Sequence, residues 1–260
     1  MTFLADIWYV ALRELIKFFR MKVRVVVTLI QPLLWLVLMG NVMQGFAKSP
    51  FVQRMLGTQS YLAFMTPGII LMTVLFGGVF SGLSVVWDRR IGYLEKLMAA
   101  PINRGAIPLG KSLAAAIQGG LQVAIVVLIA AGFGVHFAAG VGGVFLIIVL
   151  AMTFSTILSG LSLAIATVTK THETLMAIVN FLTMPLMFTS NALFPKEAMP
   201  GWLYALAKVN PVTYAVAPIR ELTLHGWNWN AMYQGIAVVV GLALLMGGIA
   251  LTMFRRATAE

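Results

Sequence analysis

One stretch of the chain spells a chemical motif. Gly105-Ala-Ile-Pro-Leu-Gly110-Lys111-Ser112 matches the pattern of a nucleotide-binding P-loop letter for letter. Such a loop cradles phosphates with backbone amides between a buried strand and a soluble helix. Here residues 97–104 do not read as a strand, Pro108 removes an amide donor, and Ser112 opens an apolar run. The match is rejected, and Lys111 reads as an anchor for a helix end among lipid headgroups. Other chemistry is sparse. His136, His172 and His225 fall in different loops, which does not suit a shared metal. Gly-x-Ser-x-Gly is absent, so no nucleophile turn is present. The absence of cysteine excludes disulfides and thiolate-held metals. The expectation is no catalytic residue and no metal site.

The densest charge lies in one loop. Asp88, Arg89, Arg90, Glu95, Lys96 and Arg104 fall within 17 residues. Ile91, Leu94, Leu97 and Met98 recur at near-helical spacing, and Pro101 marks an end. The pattern predicts a short amphipathic helix, which fits either a docking surface or a solvated loop.

The elements that position these residues follow from composition. Hydrophobic residues make up 60% of the 260 and charged ones only 10%, where soluble domains carry about 25% charged. An all-α membrane protein is expected, with six transmembrane helices near 25–46, 61–86, 112–135, 141–168, 174–194 and 231–254. Pro32 and Pro185 fall inside two of them, which bundles tolerate. No strand-like alternation supports a β-barrel. No Asp, Glu, Lys or Arg is central to a span. Intramembrane carboxylates are the usual proton relays, so their absence argues against a proton-driven transporter. Thirteen of the 18 Lys and Arg fall on one side under this topology, which places both termini in the cytoplasm. The net charge of +10 thus reads as orientation rather than as nucleic-acid binding.

Residues 1–24 do not read as a secretory signal. Arg13, Lys17, Arg20 and Arg24 share one helical face, and Leu4, Trp8, Ala11, Leu15 and Phe19 another. An interfacial amphipathic helix is expected, alongside a plain role in topology. Residues 194–227 are too polar and proline-broken to span. Pro200 and Pro211 can each open a short helix, with Asn210 as a cap and Gly226 at an end, while Pro218 would kink the second. This predicts an external re-entrant or interfacial helical hairpin. Gly78-x-x-x-Gly82, Ser155-x-x-x-Ser159 and Gly160-x-x-x-Ala164 permit close helix approach, most simply within the chain. A path for an amphipathic cargo is assigned to Phe76, Phe80, Thr183, Met187 and Asn191, although Met and Phe are more often core.

Two segments resemble a family. The run from Asp88 to Lys111, with Leu97-Met-Ala-Ala-Pro-Ile-Asn-Arg104 and Gly110-Lys111, is similar to the loop of ABC-2 type ABC-transporter permeases, nearest the daunorubicin-resistance and nodulation-factor export branch. Leu193-Phe-Pro, Pro200-Gly-Trp-Leu203 and Asn210-Pro-Val-Thr-Tyr214 resemble that family's second signature. The likeness covers nearly the whole chain. Arg90 stands where that branch commonly carries an acid.

The resemblance implies a 25–257 transmembrane domain with a coupling loop at 88–108, forming the permease of an ATP-driven exporter. It implies two separate ATPase subunits, a second permease copy and surrounding lipid as partners, with ATP and Mg held by the ATPase and no cofactor here. The expected coupling residues are Arg89, Arg90, Gly92, Tyr93, Leu94, Glu95, Leu97, Pro101 and Arg104. The expected hairpin residues are Pro195, Pro200, Trp202, Asn210, Pro211 and Tyr214. Localisation in the cytoplasmic membrane follows. An ion-coupled secondary transporter is the main rival, and a membrane-embedded enzyme the third reading. The topology has a direct check because the chain lacks native cysteine. Thr58→Cys should react with an impermeant thiol reagent added outside intact cells, and Asn103→Cys should not; the opposite pattern refutes the orientation.

Overall fold

A computed structural model of the protein describes residues 2–42, 45, 49, 53, 56–58, 60–169 and 171–257. The side chains of Arg24, Met39, Asn41 and Val79 are outside the description, and so are Lys48, Arg54 and Lys170, which the topology count used. Every regular element among these residues is helical. In chain order they are α1 (Phe3–Arg20), α2 (Lys22–Val42), α3 (Tyr61–Arg90), α4 (Tyr93–Ala99), α5 (Ala106–Gly132), α6 (Gly140–Val168) and α7 (His172–Phe188). A 3-10 turn (Lys196–Ala198), α8 (Gly201–Val209), α9 (Pro211–Leu224) and α10 (Trp229–Ala257) follow.

Among the described residues four helices, α3, α5, α6 and α10, are long and apolar enough to cross a membrane. At 1.5 Å per residue the 30 residues of α3 extend about 45 Å, beyond the roughly 30 Å of a bilayer's hydrocarbon. A fifth candidate is the pair formed by α1 and residues 25–38, bent by 73°. The stretch expected to span at 174–194 is helical only to Phe188, giving α7 17 residues. Its end is fixed from outside. Thr189 folds back onto the Pro185 carbonyl, and Asn210 Nδ2 donates to the Leu186 carbonyl at 2.6 Å.

α3 is the axis of the bundle, packed against α2, α5, α6, α7 and α9. Ile69, Ile70 and Leu71 are consecutive and all fully buried, as in a helix surrounded on every side. They join Val123, Val126, Ile147, Phe154, Val216 and Ile219 in the main core. A second core forms where the 88–104 loop folds back, from Leu83, Val86, Leu94, Ile107, Leu163, Leu175 and Phe254. The small-residue motifs serve packing within the chain. Gly78 and Gly82 face Leu158 and Ser162 of α6, and Gly160 faces the Met246 backbone of α10. A Cβ at Gly82 would overlap the Ser162 carbonyl, so only glycine permits this crossing. Ser155 Oγ donates to the Ala115 carbonyl at 3.0 Å, and the Ser112 and Ser159 hydroxyls share a bond at 3.1 Å.

The N-terminal helix departs from a purely interfacial one. α1 lies against α5, burying Asp6, Val10, Ala11, Glu14, Leu15 and Phe18. Leu4, Trp8 and Phe19 stay exposed, so the expected apolar face is split between the protein and the surroundings. α1 ends at Arg20 and α2 begins at Lys22, which puts residues 22–24 in the second helix.

At the far end of the bundle, α8 and α9 form the pair of short helices expected there. Asn210 Oδ1 accepts from Val212 N at 2.8 Å with Pro211 at the first helical position. Gly226 follows α9 with φ +95, and the Glu221 carbonyl accepts from the amides of His225 and Gly226. Pro218 sits inside an unbroken α9, where Gly235 of α10 approaches it closely. Trp202 is exposed, and Tyr214 Oη donates to the Lys208 carbonyl at 2.7 Å.

Candidate functional site

Three helices bring five charges to one point beside the 88–104 loop. Lys111 comes from the second turn of α5, Asp88 from the last turn of α3, and Arg13, Glu14 and Lys17 from the middle of α1. The Lys111 side chain is fully buried. Its Nζ donates to Asp88 Oδ2 at 2.6 Å, to Glu14 Oε1 at 2.9 Å and to Ser84 Oγ at 2.7 Å. An ammonium has three donors, and all three are used. Arg13 reaches the same aspartate with both Nη atoms, at 3.0 and 3.1 Å, and Glu14 at 3.0 Å. Lys17 stands at 3.5 Å from both acids.

This placement corrects the reading of Lys111 as a headgroup anchor. α1 covers the start of α5, so the amine cannot reach lipid and must be neutralised internally. Removing a single charge from water costs several kcal/mol, and only good geometry and full hydrogen bonding offset it. The P-loop letters sit on a helix rather than a loop, since α5 begins at Ala106. Gly110 in that motif lets the Ile7 carbonyl and Val10 of α1 approach to 2.7 Å of where a Cβ would be. Asp88 is also explained. A carboxylate at a helix C-terminus is unfavourable against the dipole, and here Arg13 and Lys111 supply the compensation.

The cluster holds the charged loop in place. Gly92 turns the chain at φ +67 between α3 and α4, a conformation that favours glycine. Tyr93 then sits under the Arg13 guanidinium, 3.7 Å from the ring centroid. Leu94 is 4% exposed in the second core, with Leu97 packed against it. Ala100 is extended before Pro101, which ends α4. Asn103 N donates to Asp6 Oδ2 at 3.3 Å, a second tie to α1, and Asn103 Oδ1 accepts from Gly105 N. Arg89 donates to the Thr169 carbonyl at 3.1 Å and joins α3 to the end of α6.

The sequence-assigned coupling residues therefore separate into two groups. Arg89, Gly92, Tyr93, Leu94 and Leu97 fix the loop to the bundle. Arg90, Glu95, Pro101 and Arg104 lie on its exposed face, together with Ile91 and Lys96. Four of the assigned path residues occupy the neighbouring helices α3 and α7 and Asn191 lies in the turn after α7, but they share no single surface. Phe80 lines a cavity of ≈ 380 Å³ beside the charge cluster, with Trp87, Lys17, Lys111 and His172. Thr183 is buried, Met187 packs on the main core, and Phe76 is 37% exposed. Asn191 lines a separate crevice at the hairpin end. Sequence reasoning missed Arg13, Glu14 and Lys111 as one site. The available signal was acidic Glu14 on the same α1 face as Ala11 and Leu15.

At the first turn of α7 the Thr171 side chain accepts from Thr174 N at 3.2 Å. The Glu173 carboxyl, outside the expected span, is held below its ordinary range by its own backbone amide and the Thr171 hydroxyl.

The family model described as ABC-2 type transporter matches residues 5–224, from the start of α1 to the end of α9. The ycf38 transport permease of Cyanophora paradoxa is 32% identical over 227 residues, covering 86% of this chain and 76% of the relative. That of Porphyra purpurea is 32% identical over 244 residues, covering 93% and 81%. The daunorubicin resistance ABC transporter permease DrrB1 of Streptomyces coeruleorubidus is 24% identical over 253 residues, covering 95% and 85%.

Lys111→Met leaves Asp88 and Glu14 buried beside fewer cations. It should cost about 3–5 kcal/mol, as breaking a buried pair does. Thermal unfolding of the detergent-solubilised protein measures this, and adding Glu14→Gln should restore part of the loss.

Proposed function

The chain belongs to the ABC-2 type transporter permease family, and we propose that it is the membrane subunit of an ATP-driven exporter. Members of this family are transport subunits rather than enzymes. The chain is a multi-pass membrane protein with several helices apolar enough to span. The observation that carries the reading is the loop at 88–104. Its exposed face presents charges of both signs, while its buried face is tied to α1, α3 and the second core.

In this reading two separate ATPase subunits dock on Arg90, Glu95, Pro101 and Arg104. They bind the nucleotide and Mg. A second permease copy completes the path, and nucleotide-driven movement of the loop rocks the two halves between states. The rigid ties at Leu94, Tyr93 and Asn103 make α4 move with α1 and α3 rather than independently of them. α1 with α2, and α7 with the following segment, would complete a six-span arrangement in the cytoplasmic membrane with both termini inside. α8 and α9 would then form a re-entrant hairpin at the external end.

The cargo class is amphipathic. The ≈ 380 Å³ cavity sets Phe80 and Trp87 beside Lys17, Lys111, Asp88 and Glu14, an apolar wall next to a cluster of charges of both signs. A drug, a lipid or a lipid-linked saccharide fits that description, and the name of the Streptomyces relative speaks of daunorubicin resistance. An ion-coupled transporter is the rival. It would need an ionisable group free to load within the membrane, whereas Asp88 and Glu14 are each held by at least two cations and Asp6, in the first turn of α1, takes the Asn103 amide.

Glu95→Arg tests the docking face. Insertion and thermal stability should be unchanged, while association with the cognate ATPase should weaken about tenfold or more, as for reversing a charge at a docking interface. Co-purification and stimulated ATP hydrolysis read this out. A chain that binds no ATPase and transports on a proton or sodium gradient contradicts the proposal.

A further inference from the structure

Away from the 88–104 loop, α9 holds a second buried cation. Arg220 of α9 lines a crevice of ≈ 320 Å³ with Phe64, Asn191, Lys196, Glu197 and Ala217. Its guanidinium lies over the Phe64 ring, 4.3 Å from the centroid. Nη2 donates to the carbonyls of Asn191 and Ala192 at 2.7 and 3.3 Å. Nε is buried and donates to nothing. Beside it Asn191 is 2% exposed, and its buried Oδ1 accepts nothing.

No carboxylate among the described residues stands within ion-pair distance of Arg220. The neighbouring Glu221 is engaged at 3.1 Å by His225 Nδ1 and at 3.1 Å by Asn228 Nδ2. Glu197 lines the same crevice and its charge acts on Arg220, but it forms no ion pair with it and is exposed on the 3-10 turn, where water screens it. The stretch 43–60 between α2 and α3 contains no Asp or Glu in its sequence, so it offers no hidden counter-ion. A cation withdrawn from water without an anion is unfavourable. Arg is also the side chain whose forked donors best match a phosphate. An unpartnered Arg Nε and an unpartnered amide oxygen in one crevice complement a phosphate and an adjoining hydroxyl.

We propose that this crevice binds a phosphate group, with Arg220 as the principal donor, Lys196 adding charge and Asn191 available to a neighbouring hydroxyl. The phosphate belongs either to an amphiphile whose tail runs along the apolar wall at Leu56 and Phe64, or to free phosphate. The site stands on its own geometry and does not depend on the exporter reading, because its binding is measured without any ATPase.

The experiment uses the full purified chain in detergent and isothermal titration with three probes. These are dihexanoyl phosphatidic acid, inorganic phosphate and uncharged dihexanoyl glycerol. Ala217→Glu places a carboxylate in the crevice one helical turn from Arg220 without removing the carbonyl bonds; Arg220→Gln removes the charge itself. Phosphatidic acid should bind, dihexanoyl glycerol should not, and Ala217→Glu should weaken binding about tenfold or more, the scale of a charged hydrogen bond. The unfolding temperature of the free Ala217→Glu protein should stay near that of the parent. Phosphatidic acid binding more tightly than inorganic phosphate supports the amphiphile as the source, and equal binding supports free phosphate at the same site. Failure of both phosphate probes to bind overturns the proposal, as does unchanged binding in either folded variant. Loss of ATPase association in separate experiments leaves this result untouched.

Discussion

The structure depends on one buried ammonium. The Lys111 side chain is fully buried, so Asp88, Glu14 and Ser84 must converge on it within hydrogen-bonding distance. Those partners come from different helices, and the requirement therefore fixes α1, α3 and α5 against each other. Arg13 makes the constraint two-sided, gripping the same aspartate and then covering Tyr93 at the start of α4. Replacing such a cluster with apolar side chains can be neutral in stability. What the charges add is a defined register. A hydrophobic contact between α1 and α5 would tolerate sliding, and a shared amine with three directed bonds does not.

That register matters because the loop beyond Asp88 is short and mostly surface. α4 has only seven residues, too few to hold a helix alone. It persists because Leu94 and Leu97 enter the second core, Gly92 makes the turn, and Asp6 receives the Asn103 amide. The exposed charges of Arg90 and Glu95 then face outward from a rigid base. Meanwhile Gly78, Gly82 and Gly160 let α3, α6 and α10 pack backbone to backbone, which keeps the bundle stiff behind the loop. In the proposed transport cycle a displacement of the loop would thereby be carried into α1 and α3 together.

Much of this was legible in sequence where the determinants are local. The amphipathic spacing of Ile91, Leu94 and Leu97 predicted α4, Pro101 its end, Asn210-Pro211 the start of α9 and Gly226 its finish. The small-residue motifs predicted close crossings. Non-local terms were not legible. Residues 14, 88 and 111 are far apart in sequence, and nothing in the spacing says that their charges meet. Lys111 even read as a headgroup anchor, because a lysine at a helix start usually is one. The early end of α7 was hidden for the same reason, since Asn210, over 20 residues on, takes the Leu186 carbonyl. Arg220 and Glu221 were visible as neighbours, but not that one binds carbonyls and the other His225 and Asn228.

If the buried cluster positions the 88–104 loop, hydrogen–deuterium exchange should reveal it most directly. Comparing the parent with Asp88→Asn in the same detergent isolates the cluster, because the amide keeps the shape and removes the charge. Amides of α4 and of residues 103–107 should lose protection by about tenfold or more, while the cores of α6 and α10 keep theirs, as expected when one local unit opens alone. Unchanged protection across α4, or an equal loss through every helix, would contradict the account.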